Sequence, residues 1–438
     1  MRYLRNTDTN KRIVIVLILG WLILSYLYLL RTPIDHRVHD IWGHVEYSAI
    51  IAEQHRLPNP KEGQETYHPP LYYIVNTVFG TKWWMSEEIK INKEEHIKRV
   101  RYLSVLYGGM VLLILAGLLQ RMDIKSSQRF LILLFIITTP KFVFVFSTYN
   151  NDSLVTLLCI AVTAVSYSLY SKWRSLNAIA LLLLATAGLY TKLTMLGCIF
   201  AISFILSIAG FINKRKLKSN GIKIITIFFI SLLMFFPWLL IHNYKYTGKL
   251  FPTNVPEYKL SKDFTDYINS VKSVIKIPII QYREHEWDEP WIAPLQSPGN
   301  DVGNISKNSD YFSVVFITSL IGEYTFIKPH IVFYWTLIWI HLITVFFAFR
   351  EALRSDLTKI STLFILLSYI ISFVYVAGIK EPIGACNMDY RYISWNLIGW
   401  IILYASVFEK NKKSIMRFFL FLLITGIINH IYILMTLK

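Results

Sequence analysis

Cysteine is nearly missing from this sequence: three residues in 438, Cys159, Cys198 and Cys386. Their spacing matches no metal or redox motif, and only Cys386 falls in a segment expected outside the membrane, so no disulfide framework is expected. Acidic side chains are also scarce, 28 against 45 Lys plus Arg, which leaves a net charge of +17. Gly-rich phosphate loops are absent, and no loop is large enough for a nucleotide-binding α/β domain. Convincing internal repeats are missing too, which counts against the paired halves of a transporter.

What is present is hydrocarbon: 54% of the residues are apolar and 17% charged. The apolar residues come in blocks instead of at periods of two or three to four, and such blocks signal lipid. The basic residues sit in short links between blocks: "MRYLRNTDTNKR" at the start, Arg121 to Arg129, "SKWR" at 171–174, "NKRKLKSNGIK" at 213–223, "FREALRSDLTK" at 349–359 and "EKNKKSIMR" at 409–417. If every block crosses the bilayer, all of these links fall on one side, the positive-inside pattern. The excess charge therefore encodes orientation, and nucleic-acid binding is not expected.

A span needs about 20 apolar residues. Candidates lie at 13–30, 100–120, 129–148, 152–170, 175–190, 193–212, 223–242, 331–349, 359–378, 390–408 and 417–436. The expectation is an all-α polytopic protein of about eleven transmembrane helices, range about 10–13. Its N-terminus would be cytoplasmic, in the plasma membrane, with 13–30 kept as a first span, not removed as a signal peptide. Three parts follow: a core over 1–242 that includes a first outside loop at 31–99, an extracytoplasmic region at 243–330, and C-terminal helices over 331–438. Inside links are short and the two outside loops long, so the work is expected outside.

In the first loop, "DHRVHDIWGHVEYSAIIAEQHRLP" (35–58) reads as a helix lying on the membrane surface. Val38, Ile41, Trp42, Val45, Ala49 and Ala52 would face down, with Asp40, His44 and Tyr47 on another side. Asp40 is a candidate general base for a hydroxyl arriving from outside, with His44 one turn on. It is equally an exposed charge on a wet loop, and His36, Asp40 and His44 at i, i+4 and i+8 leave a divalent metal as a weak third reading. Next comes "QETYHPPLYY" (64–73), whose prolines turn the chain into a short apolar helix; His68 caps that corner or binds in a cavity that Tyr72 or Tyr73 lines.

Further on, Asn150, Asn151 and Asp152 form a polar tip that a plain turn would explain, whereas Pro140 and Lys141 inside an apolar block are costly in lipid. Lys192 and Arg391 lie near outside junctions; each either reaches a headgroup or binds a phosphate, and Asp389 is a ready partner for Arg391. Tyr282, Arg283, Trp287 and Trp291 suit carbohydrate contacts or, more simply, the interfacial aromatic belt.

"HPPLYY" (68–73), "YNNDSL" (149–154), "GLYTKLT" (188–194), "PWLLIHNYKYTGKLFP" (237–252) and "DYRYI" (389–393) occur in an order that resembles the membrane-embedded GT-C glycosyltransferases. The likeness is to the bacterial branch related to protein O-mannosyltransferases and lipid A aminoarabinose transferase. The resemblance implies a GT-C fold and sugar transfer, usually inverting, from a polyprenyl-phosphate (undecaprenyl-phosphate) carrier to an extracytoplasmic hydroxyl on a protein, a cell-wall polymer or a lipid-linked glycan. It makes Asp40 the base with His44 nearby. His68, Tyr72, Asn151, Asp152, Lys192, Arg391 and Tyr392 become substrate-binding candidates, with Lys192 and Arg391 at the leaving phosphate. The chain departs from the family pattern where Ile41 replaces a second acid, His242-Asn243 follows "PWLLI", and Tyr390 precedes Arg391. A ligase or polymerase acting on a lipid-diphosphate glycan and, more distantly, a transporter are the alternatives.

Overall fold

The structure is a computed structural model that describes residues 2–32, 41–81, 92–212, 215–252, 356–379 and 390–410, with Phe346 and scattered residues between 420 and 435. Asp40, the loop aromatics at 282–291 and most of the expected spans 331–349 and 417–436 lie outside the described residues. All regular structure among the described residues is helical. Four helices, Arg12–Arg31, Lys93–Arg121, Asp152–Ser171 and Ser219–Thr247, are long and apolar enough to cross a membrane, and a fifth span arises if a bent pair counts as one. The chain is thus an all-α, polytopic membrane protein.

The bent pair joins α5 (Ser126–Ile137) to α6 (Pro140–Ser147) through a 63° change of direction. Pro140 brings no N–H and pushes Thr139 out of the helical region. The threonines repair the break: the hydroxyls of Thr138 and Thr139 donate to the Phe135 carbonyl at 3.0 and 2.9 Å. The proline that looked expensive in the sequence is a bend whose freed acceptor is satisfied locally.

The chain divides into two compact units. The first holds α1 (Arg2–Arg31), α5, α11 (Asp356–Ile379) and α12 (Leu397–Lys410). In it α1 and α12 pack on α5, α11 packs on α12, Trp21 meets Phe142 edge-on at 5.0 Å, and the Tyr28 hydroxyl bonds His430 Nδ1 at 2.7 Å.

The second unit holds α2 (Ile41–Gln54), α3 (Leu71–Gly80), the first part of α4 (Lys93–Arg121), and α7 to α10 (Asp152–Ser171, Ser175–Leu189, Thr194–Ile212, Arg215–Trp238). Short links and mutual packing make α7 to α10 an up-down set. Residues 149–152, 189–194 and 238–244 therefore share one end, and the basic residues at 172–174 and 215–218 share the other. After Pro237 the chain runs through a π-helical turn, Leu239–Tyr244. It stops at Gly248, whose φ of 70° is the left-handed helix cap that glycine adopts without strain. His242 Nε2 on that turn donates to the Pro58 carbonyl at 2.8 Å, fixing the first loop to the end of α10.

Candidate functional site

The corner at Gln64–Tyr73 docks by its backbone: the Leu71 N–H donates to the Tyr190 carbonyl at 2.8 Å. Pro70 is the residue before α3, where its missing N–H costs nothing. This contact brings the first loop against the link that carries Lys192. Gly43 on α2 lets the same loop come close, since a Cβ there would lie 2.9 Å from Glu65 Cγ.

The orientation of α2 matches the expectation in part: Ile41, Val45 and Ala52 are buried, but so is the side expected to be polar. His44, Tyr47 and Ser48 point inward and are buried, while Trp42 is 55% exposed. The reason is a set of specific partners. The Tyr47 and Tyr73 rings stack with centroids 3.8 Å apart, His44 Nδ1 bonds the Tyr73 hydroxyl at 2.8 Å, and Ser48 Oγ bonds the Tyr149 hydroxyl at 3.1 Å. Trp42 is left outside with Lys93 Nζ 5.9 Å from its ring. Polar side chains with good partners are buried here beside apolar Ile41, Val45 and Ala52.

At the centre is Glu65, which sequence reasoning passed over. It is 3% exposed, its Oε2 lies 2.8 Å from His68 Nε2 and 3.9 Å from His44 Nδ1. Burial opposes ionisation of the carboxyl, but the charge of His68 and His44 whenever those rings are protonated, the hydrogen bond from His68 and the Lys192 ammonium outweigh it and hold the acid down at about 2. The available signal was the i, i+3 spacing of Glu65 and His68 inside the quoted corner. Tyr149 was likewise missed: its hydroxyl also bonds His96 Nε2 at 3.1 Å, so it joins α2 to α4.

Of the predicted residues, His44, His68, Tyr72, Asn151, Asp152 and Lys192 come together in this one unit. Tyr72 lies 6.3 Å, ring to ring, from His44, and His68 lies 6.5 Å from it. Asn150 Oδ1 accepts the Ser153 N–H at 2.9 Å, capping the first turn of α7. Asn151 and Asp152 are thereby directed to Lys192, whose Nζ donates to their Oδ1 atoms at 2.7 and 2.6 Å. The ion pair is buried, Lys192 at 7% and Asp152 at 2% exposure. Lys192 is therefore not a headgroup-reaching lysine. Arg391 and Tyr392 lie in a 3₁₀ turn, Tyr390–Asn396, with their side chains outside the described set. No group of three His, Cys, Asp or Glu suited to a metal occurs among the described residues, and of the suggested His36, Asp40 and His44 only His44 is described.

His68 Nδ1 and Asn151 Nδ2 are buried here without a protein hydrogen bond, and the Tyr72 hydroxyl lies against the Asn76 carboxamide. An unsatisfied buried donor or acceptor costs about 1–3 kcal/mol, so such atoms beside buried charges mark a candidate site.

No protein-family model and no curated protein matches the chain. Among solved structures it is similar to that of the S. cerevisiae protein O-mannosyltransferase Pmt1-Pmt2 complex bound to the sugar donor, at 11% identity and a TM-score of 0.40. The match covers 54% of this chain and 34% of that one, so the chain spans about a third of the length of the structure it resembles.

Proposed function

We propose that this protein is a membrane glycosyltransferase that moves a sugar from a polyprenyl-phosphate carrier to a hydroxyl acceptor at the extracytoplasmic face, with inversion. The observation that carries the reading is the buried Glu65–His68–His44 and Lys192–Asp152 cluster, set at the end of the helices away from the basic links. An anionic lipid donor in the membrane needs a cation at that depth, and a hydroxyl acceptor needs a base facing water. The order of motifs in the sequence supplies the donor class.

Asp40, the residue before α2, takes the acceptor proton; the freed oxygen attacks the anomeric carbon; the bond from that carbon to the phosphate oxygen breaks, and its electron pair leaves with the lipid phosphate. Lys192, held by Asn151 and Asp152, donates also to a phosphate oxygen as that charge develops, with His44 beside the reacting groups. His68, Tyr72 and Asn151 line the sugar.

Asp40→Asn tests the base. Transfer of radiolabelled sugar from undecaprenyl-phosphate donors should fall about a hundredfold or more, with the protein still folded in the membrane. Turnover at the unsubstituted rate would remove Asp40 from the mechanism.

A further inference from the structure

Glu65 has no part in the scheme above, yet it is the most heavily braced carboxylate of the site. An ionised carboxylate only accepts hydrogen bonds. Its 2.8 Å contact with His68 Nε2 therefore requires the proton of a neutral His68 ring to sit on Nε2. The other ring nitrogen, Nδ1, is buried and has no hydrogen-bond partner, while the side chain as a whole retains 13% exposure. The backbone and the ring are each held: Tyr47 Oη donates to the His68 carbonyl at 3.3 Å, and the Tyr67 ring lies 4.2 Å from the imidazole. In its neutral form His68 therefore presents a fixed lone pair.

We propose that Glu65 is a positioning residue that makes His68 Nδ1 a hydrogen-bond acceptor for a substrate hydroxyl, so that this side of the site selects a sugar or acceptor hydroxyl and the Lys192 side takes the phosphate. The two sides differ in sign of hydrogen bonding. Lys192 only donates, and suits an anion; Nδ1 of this tautomer only accepts, and repels an anion's lone pairs. Such a site rejects an analogue lacking the hydroxyl, because the buried acceptor is then left unpaired. The inference rests on the glycosyltransferase reading for its substrate, but the tautomer is a property of the chain alone.

Two variants separate this role from a structural one. The Asn side chain places its oxygen near the position of Nδ1, and the Gln side chain reaches that of Nε2. His68→Asn keeps an acceptor at Nδ1 and gives up the Glu65 bond; His68→Gln keeps the Glu65 bond and gives up the acceptor. With undecaprenyl-phosphate hexose as donor and an octyl glycoside as acceptor, H68Q should raise the KM of one of the two substrates, the one whose hydroxyl Nδ1 accepts, about tenfold or more, and H68N should raise the same KM less than about threefold. Any other pattern overturns the proposal, including wild-type behaviour of H68Q with a defective H68N, which is what a purely structural histidine gives. Separately, nuclear magnetic resonance of isotope-labelled histidine in the full chain, with His68 assigned by its loss in H68N, should show an unprotonated Nδ1 and a protonated Nε2, and E65Q should relax that preference. A protonated Nδ1 in the neutral ring, or no change in E65Q, overturns the proposal whatever the activity. If the wild-type chain transfers no sugar while the tautomer is as stated, it is the glycosyltransferase reading that fails.

Discussion

The two units bury polar side chains in different company. In the first, the Tyr28 phenol meets the His430 imidazole in a hydrogen bond, and the ammonium of Lys141 lies 5.1 Å over the Phe144 ring. In the second, Glu65, Asp152, Lys192, His44 and His68 share one neighbourhood of opposite charges. A phenol–imidazole bond ties helices together at little risk. A charged network is a poor route to stability, since buried ion pairs seldom outdo apolar packing. The comparison teaches that the second unit holds opposite charges together below the surface, at a cost that a phenol–imidazole tie avoids.

Four substitutions sharpen that contrast, from the largest expected effect to the smallest. Lys192→Met strands the buried Asp152 carboxylate and should destabilise the protein by about 3–5 kcal/mol, read as a loss of detergent-resistant folded fraction; a wild-type unfolding midpoint would mean that the pair is hydrated and dispensable. Gly43→Ala forces a methyl group toward Glu65 and should cost about 1–3 kcal/mol while also weakening sugar transfer, because the carboxylate moves away from His68.

Glu65→Gln tests the linkage of charge to stability. The folded-state value of Glu65 is lowered from an ordinary 4.5 to about 2, so its contribution is complete above 4.5 and is lost as pH falls toward 2. Acidification from about pH 5 to about pH 3 should therefore destabilise the wild-type chain more steeply than E65Q; parallel acid-unfolding curves would show that the carboxylate is not held by its neighbours. Tyr28→Phe, in the first unit, removes one neutral hydrogen bond and should cost about 1 kcal/mol with transfer unaffected. A large loss of transfer in Y28F would break the division between a binding unit and a bracing one.

Much of the architecture was legible. Hydropathy blocks placed the helices at 152–171 and 175–189 within a residue or so of where they occur, because a lipid-facing helix must be apolar over its whole length. The start of α3 after Pro70 was legible for a local reason, the missing proline N–H, whereas Pro140 reads as a costly breaker inside one span at 129–148, which does not foretell its bend. The face of α2 was legible only in part. Its apolar and polar residues are interleaved without a clean stripe, so only the positions of Tyr73, Glu65 and Tyr149, supplied from elsewhere in the chain, decided that its polar side turned inward as well. Lys192 gave the same lesson: its type and place near a span end fit a headgroup contact, and the carboxylate of Asp152, 40 residues earlier, decided otherwise.

The sequence by itself determined that this is a polytopic helical protein, which end of each helix carries the positive links, and where the corner at "HPPLYY" must turn, since these follow from hydrocarbon length, charge and backbone chemistry that act locally. Only the tertiary structure decided that Glu65 stands at the centre of the site, that Lys192 is held in a buried pair and that His68 turns Nε2 toward a carboxylate. The first two rest on side chains brought together across 29 to 41 residues of separation, as for His44 with Tyr73 and Lys192 with Asn151, and the third, though local in sequence, depends on a side-chain geometry that spacing alone does not encode.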